Sequence, residues 1–267
     1  MNKEIIYDRE MNIQRCYSTE YQGMKVKYID HMGNDLSVVN SAYASFGKME
    51  HEYNPDKHDR LIQYLSRGMS EADFEKLADN LAYETTDAKD VAKALWKFRN
   101  TPTHFSPFTH TCITLQCTVP IAIHAQLVKH TVGFNINTVS RRYVSTAPEL
   151  FIPEFRSKPT GNIKQGSGDV HEQAHYWQVW YKRQAEASIR TYVDMIDAGI
   201  AAEQARFILP QGVMTEFVWT GNVASFARMF NQRTDRHSQK EIQDLAKMVG
   251  EIIEPLYPVS WKALTGN

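Results

Sequence analysis

Apolar and polar residues alternate from Met24 to Ile29 (Met-Lys-Val-Lys-Tyr-Ile), the period-two pattern of a strand with one buried face. Met32-Gly-Asn-Asp35 follows with turn chemistry, and the small apolar stretch from Leu36 to Phe46 fits a short helix. Ser70 with Asp73 three residues on makes a capping-box pattern, and Phe74, Leu77, Ala78 and Leu81 continue at helical spacing. A second helix is predicted over 88–99, with Val91, Ala92, Leu95, Trp96 and Phe98 on its apolar side and Pro102 ending it. Cys112-Ile-Thr-Leu-Gln-Cys117 alternates again. Cys112, Thr114 and Gln116 fall on one face of that strand, Ile113, Leu115 and Cys117 on the other. Ile121 to Val128 reads as helix, and Lys158 to Asp169, with its Gly and Pro, as a flexible loop. A long helix is predicted over 169–197, with Trp177, Trp180, Tyr181, Ile189, Tyr192 and Ile196 along one stripe and Gly199 at its end. Two more follow, over 223–230 and 238–254, the second stopped by Pro255.

This order predicts an α+β fold: a helix-rich single domain with a small central sheet. No linker and no repeat interrupts it. The polar, mixed residues 1–23 read as an N-terminal extension before a domain covering 24–267.

Composition changes the picture in three places. With 267 residues and 42% hydrophobic content, the chain can bury a sizeable core. Thirty basic against thirty-one acidic residues give no global field for a polyanion, which counts against an RNA-binding module, so any anion site is local. Three cysteines (Cys16, Cys112, Cys117) are too few for a disulfide framework. The start MNKEIIYDRE has no apolar stretch and no run suits a membrane helix, so a cytoplasmic protein is expected.

The sequence carries no G-x-x-x-x-G-K-[ST] loop, no G-x-G-x-x-G, no G-x-S-x-G and no C-x-x-C. Any nucleotide would therefore be held by side chains and irregular backbone. His171-Glu-Gln-Ala-His175 matches H-E-x-x-H, whose two His could hold zinc on one helix face with Glu172 as base. Three fixed residues recur by chance and no third ligand follows at a motif spacing, so ordinary surface His is the better reading and a zinc hydrolase the alternative.

A stronger signal is Lys129-His-Thr-Val-Gly-Phe-Asn-Ile-Asn-Thr-Val-Ser-Arg-Arg-Tyr143. It concentrates Lys129, His130, Arg141 and Arg142 with Asn135, Asn137 and Ser140. Many donors and few carboxylates suit a phosphate or a pyrimidine edge; a solvated basic loop has the same composition. Arg206, Arg228, Arg233, Arg236 and His237 add a further basic set. Arg206 precedes Phe-Ile-Leu-Pro, which places its stem near the core, where it would need an anion or an internal pair with Glu203.

In these blocks the chain resembles the flavin-dependent thymidylate synthases. That family carries an R-H-R-x7-S signature, and Lys129-His130-Thr131 with Ser140 is a degenerate form of it. Four more blocks agree in order: Asp30-His-Met-Gly-Asn-Asp-Leu-Ser-Val-Val-Asn40, His104-Phe-Ser-Pro-Phe-Thr-His110, Glu203-Gln-Ala-Arg-Phe-Ile-Leu-Pro210, and Trp219-Thr-Gly-Asn222 leading into Asn231-Gln-Arg-Thr-Asp-Arg-His-Ser-Gln239. Together they cover about residues 24–252.

The resemblance implies transfer of a methylene group from methylenetetrahydrofolate to C5 of dUMP. NADPH-reduced FAD supplies hydride, and no cysteine nucleophile is used. It makes Arg233 the cation at the N3/O4 edge of uracil. Gln126, Lys129, Ser140, Arg141, Arg142 and Arg206 hold the nucleotide by the same token. Ser106, Lys129, His130, Thr131, Asn222, Arg228 and His237 lie near FAD, no metal is needed, and a homotetramer binds its small-molecule substrates without nucleic acid or membrane. A related dUMP C5 hydroxymethylation and a nucleotide-binding relative without activity are the near alternatives. The chain departs from the pattern at Lys129 and Thr131, which replace Arg, and eight residues separate Thr131 from Ser140. Thr138 and Thr109 stand where the family has acids. Lys lacks the bidentate fork of Arg, so Arg141 or Arg228 is expected to compensate. Replacing Arg228 by Ala should then weaken flavin binding, read by titrating the apoprotein with FAD.

Overall fold

Gln22 and Gly23 both take positive φ, 51° and 83°, the pair of left-handed residues that a two-residue hairpin requires. In the computed structural model they join β2 (Ile13–Tyr21) to β3 (Met24–Met32), antiparallel, with Ser18 opposite Lys27 and Tyr21 opposite Met24. β1 (Asn2–Asp8) pairs antiparallel with β2, with a register shift between Glu4 and Ile5. The structure describes residues 1–8, 13–68, 75, 78–79, 91–92, 103–159 and 166–266. Residues 1–23 thus supply two strands of the sheet where an extension was expected. Their polar alternation hid them, because the strands lie at and next to the sheet edge.

The sheet has six strands in the order β1-β2-β3-β4-β6-β5, with β4 at Cys112–Pro120, β5 at Phe134–Thr138 and β6 at Met214–Gly221. β4 keeps the predicted alternation: Ile113, Leu115, Cys117 and Val119 are buried, while Cys112, Thr114 and Gln116 are half-buried. The helices are α1 (Asp35–Tyr43), α2 (Pro55–Arg67), the short α3 (Ser106–Thr109), α4 (Ile121–Leu127) and α5 (Ala174–Asp197). The short α6 (Ala202–Ala205), α7 (Val223–Arg233), α8 (Lys240–Ile253) and α9 (Pro258–Thr265) follow. The fold is α+β. The helix starting at Ser70 and the one over 88–99 lie outside the described residues except for five helical positions, as do residues 160–165 of the predicted loop. Among the described residues no helix is long and apolar enough to cross a membrane.

The long helix starts at Ala174, five residues later than expected, and its buried positions are Ala174, Ala185 and Tyr192. Trp177 and Trp180 are 48% and 42% exposed, so the predicted aromatic stripe packs only in part: Tyr192 is fully buried and Tyr181 half-buried. Tyr181 lies so near Gly212 that a Cβ there would sit 1.7 Å from its hydroxyl oxygen.

The chain forms two compact units, each assembled from three separated stretches, so no linker divides them. The first (Met1–Asp30, Thr114–Thr220, Met229–Ile252) buries Leu115, Val119, Phe217, Trp219, Leu245 and Val249. Each such side chain contributes roughly 1.5–3 kcal/mol by leaving water.

The second unit (His31–Ile113, Gly221–Arg228, Ile253–Asn267) is organised around Asp35. Asn34 caps α1 in a reciprocal capping box with Ser37. One residue on, the buried Asp35 carboxylate accepts from the backbone N–H of Val259 and of Ser260, both at 2.9 Å, at the start of α9. Tyr257 donates its hydroxyl to the Met32 carbonyl at 2.7 Å. Replacing Asp35 by Ala leaves two buried N–H groups without an acceptor and should cost about 2–4 kcal/mol. Asn should cost less, because its amide oxygen still accepts. Urea midpoints of the two variants test the order.

Candidate active site

β4 ends at Pro120, whose extended ψ of 147° turns the chain directly into α4. The first two N–H groups of α4 are tied to the loop before β6, Ile121 to the Val213 carbonyl and Ala122 to that of Gln211. Val139, just past β5, donates to the Glu216 carbonyl at 2.8 Å. These bonds leave a cleft of about 530 Å³ between the start of α4, the end of β5 and the turn Arg206–Ile208, within the size range of small-molecule sites. Ser140, Arg141 and Arg206 line it, together with His124, Thr138 and Phe207. Its lining carries two guanidiniums and no carboxylate, which suits an anion.

The turn after β5 sets the two neighbouring arginines. Tyr143 and Val144 both donate to the Ser140 carbonyl, and the Arg142 N–H reaches the Ser140 hydroxyl at 3.3 Å. Arg141 donates to the Thr146 carbonyl and also borders a smaller depression with Glu149 and Glu216. Arg142 turns out to solvent, pairs with Glu203 at 3.3 Å and lies 5.7 Å over the exposed Tyr143 ring.

Arg206 is exposed, contrary to its expected place beside the core. The 3₁₀ turn points it and the 79% exposed Phe207 outward and buries Ala205 instead. The expected Glu203–Arg206 side-chain pair is also absent. Arg206 donates to the Glu203 carbonyl at 3.3 Å, while the Glu203 carboxylate serves Arg142.

A second cluster in the same unit centres on Arg233 at the end of α7. Its Nε donates to His130 Nε2 at 2.8 Å and its Nη2 to the Gln126 carbonyl at 3.1 Å. Burial pulls the Arg233 guanidinium below its ordinary pKa. The Gln126 side chain itself goes to Gln239 at 2.6 Å. His237 is held by Asp235, which accepts from its backbone N–H at 2.8 Å and lies 3.0 Å from its Nδ1. Lys129 and Thr131 are exposed on either side of the buried His130.

The remaining predicted positions belong to the second unit. Ser106 opens α3, the Asn222 side chain accepts from Ser225 N–H at 2.9 Å and so caps α7, and Arg228 is exposed on that helix.

Residues 27–259 match the family model described as thymidylate synthase complementing protein. The chain belongs to that family. It is 29% identical over 244 residues to the flavin-dependent thymidylate synthase of Thermotoga neapolitana, covering 89% of each chain. It is 27% identical over 238 residues to that of Pseudothermotoga lettingae, covering 89% of this chain and 88% of the relative. In fold it is similar to the UMP/dUMP methylase PolB of Streptomyces cacaoi, solved with 5-bromo-dUMP. The TM-score is 0.70 at 22% identity, over 91% of this chain and 95% of that one.

Family membership leaves the H-E-x-x-H segment outside the shared blocks. His171 and Glu172 precede the helix, so the two His do not share a helical face, and His171 Nδ1 accepts from Gln173 N–H at 3.0 Å. Among the described residues no three metal-ligating side chains converge. Burial also pushes the Cys117 thiol far up, so it offers no thiolate.

Sequence reasoning passed over His124 and Phe207 in the cleft. Phe207 adjoins Arg206 in a shared block, and His124 is the one polar ring in the otherwise apolar start of α4. His124 Nε2 lies 2.9 Å from the Thr138 hydroxyl, and its ring meets the Phe217 ring edge-on at 4.9 Å. Burial lowers its pKa from the ordinary 6.5. The unfolded chain therefore takes up a proton first as the pH falls, and stability from neutral His124 is complete above about 6.5 and lost on acidification below it. His124→Gln, which does not titrate, should flatten the stability–pH curve below about pH 6.5, read as urea midpoints.

Proposed function

We propose that this chain is a flavin-dependent thymidylate synthase that converts dUMP to dTMP. Methylenetetrahydrofolate donates the carbon and NADPH the reducing equivalents. The observation that carries this reading is the cleft in which Ser140, Arg141 and Arg206 meet with no carboxylate among them, in a chain whose family match spans 27–259. A nucleoside monophosphate brings a dianion for the two arginines, and Phe207 offers a ring face at the same opening.

For the pyrimidine, the reading assigns Arg233. C5 is nucleophilic toward the one-carbon unit only when the ring is electron-rich, with enolate-like negative charge on its N3/O4 edge. A guanidinium held in advance stabilises that charge without reorganising. The half-burial of Arg233 strengthens this, since fewer waters screen it.

FAD fits the donor set. Within the first unit Lys129 carries positive charge and Thr131 a hydroxyl group, the chemistry a pyrophosphate needs. His237 completes that assignment, and the bound flavin would supply the hydride. The buried Cys117 is consistent with a route that needs no thiolate. The proposal includes a cytoplasmic homotetramer, whose assembly would cover exposed apolar surface such as Tyr176, Trp177 and Trp180 on α5.

The test is the visible spectrum of the purified protein before and after dUMP, followed by mass analysis of the product. A flavin spectrum perturbed by dUMP and a product heavier by one methylene unit, methyl in place of hydrogen, are expected. A hydroxymethyl product would redirect the reading to the related C5 modification, and binding without turnover to a non-catalytic relative. A protein that takes up neither FAD nor dUMP would overturn it. Arg233→Ala should lower kcat by about 100- to 1,000-fold. Arg206→Ala should weaken dUMP binding by about 10- to 100-fold, the loss of one charged hydrogen bond.

A further inference from the structure

The guanidinium of Arg233 is fixed along one edge. In the planar fork, Nε–H and one N–H of Nη2 point to the same side. Those two donors go to His130 Nε2 at 2.8 Å and to the Gln126 carbonyl at 3.1 Å. Gln126 lies in the last turn of the seven-residue α4, so its carbonyl has no acceptor role left within the helix and is open to an outside donor. What remains for a ligand is the end of the fork, one N–H on each terminal nitrogen.

The bond to His130 also fixes a protonation state. Arg Nε always carries its hydrogen and cannot accept. Nε2 of His130 must therefore face it with a lone pair, leaving the ring neutral with its hydrogen on Nδ1. His130 is 8% exposed, so the packed ring cannot swing aside without repacking. A proton on Nε2 would replace this bond by two N–H groups facing each other on two cations.

We propose that His130 is a positioning residue for Arg233: its unprotonated Nε2 clamps the side of the guanidinium, so the opposite end is presented to the pyrimidine only while that imidazole is neutral. This rests on the reading of Arg233 as the group that meets uracil. Arg233 is a charged group directly on His130. The titratable groups on neighbouring segments are His124 on α4, Lys129 beside it, and Asp235, Arg236 and His237 after α7. Of these, His124 is engaged by Thr138, and Asp235 and His237 bind each other.

The experiment measures dUMP affinity of the flavin-loaded protein from about pH 8 to pH 5.5, by the flavin spectrum, for the wild type, His130→Gln and His130→Ala. The Gln amide oxygen reaches about as far as Nε2 and accepts without titrating. The wild type should lose affinity on the acid side. His130→Gln should bind within about threefold of wild type at pH 8 and lack that extra loss. His130→Ala, with no acceptor for Nε, should bind at least about tenfold more weakly at pH 8. The phosphate of dUMP, His124 and His237 titrate in all three proteins, so the difference between profiles carries the result. An identical acid limb in His130→Gln, or unchanged affinity in His130→Ala, would overturn the proposal. Nitrogen-15 shifts of the His130 ring in the wild type give a check that needs no variant, and a hydrogen on Nε2 at pH 8 would also overturn it. A wild type that binds no dUMP at any pH sinks the functional reading instead, and the ring shifts then decide the clamp alone.

Discussion

A guanidinium cannot be half-buried without acceptors for its donors, and the requirement at Arg233 ties three pieces of chain together. The end of α7 supplies the cation, the last turn of α4 a backbone carbonyl, and the segment after α4 the His130 ring. Loss of either acceptor would leave a charged N–H without a partner, which costs more than a hydrogen bond between neutral groups contributes. The signature segment is therefore constrained from two sides. β5 and the turn at Ser140 fix its far end, and the Arg233 cluster fixes its near end.

Much of this frame was legible in the residues. The alternation in Cys112–Cys117 gave β4 and its buried face, and the position of Lys129 to Tyr143 after an apolar helix gave the donor-rich segment. Strands β1, β2, β5 and β6 were not visible. β1 and β2 are rich in polar residues, so their pattern resembles a tail. β5 alternates, but three of its five residues, Phe134-Asn-Ile-Asn-Thr, are amide or hydroxyl and it lies inside the donor-rich segment; in β6 burial runs through Met214, Phe217 and Trp219 at irregular spacing. Helix α2 had readable ends, Asn54-Pro55 and Gly68, that went unused. The aromatic stripe of α5 packs only in part, because periodicity reports which residues share a face, not how much of that face is covered. Tyr192 is buried and Tyr181 meets Gly212, while Trp177 and Trp180 lie outside.

The candidate site divides in the same way. Charge and hydrogen-bonding capacity singled out Arg141, Arg206 and Arg233 as candidates, and the family resemblance supplied their expected roles. Partner choice did not follow from sequence distance. Glu203 lies three residues from Arg206 yet binds Arg142, because the 3₁₀ turn rotates Arg206 away while Arg142 arrives from the β5 turn. His130 shows the same limit, since nothing in the sequence links it to a residue 103 positions away.

The departures from the signature then become physically coherent. Thr138 stands where a carboxylate is usual, and its hydroxyl is engaged by His124, whose burial favours the neutral ring. The pair contributes hydrogen bonding to the cleft without adding negative charge. Arg141 and Arg206 therefore keep their attraction for an anion, moderated on Arg141 by Glu149 and Glu216 along the neighbouring depression. Lost arginines at 129 and 131 remove fork-shaped donors, but Lys129 retains one charge at the surface. On the proposed reading, the phosphate-directed charge stands at the end of the signature, on Arg141. Two guanidiniums in one lining with no carboxylate favour an anionic ligand, and a ligand that binds only the folded chain stabilises it the more, the tighter it binds.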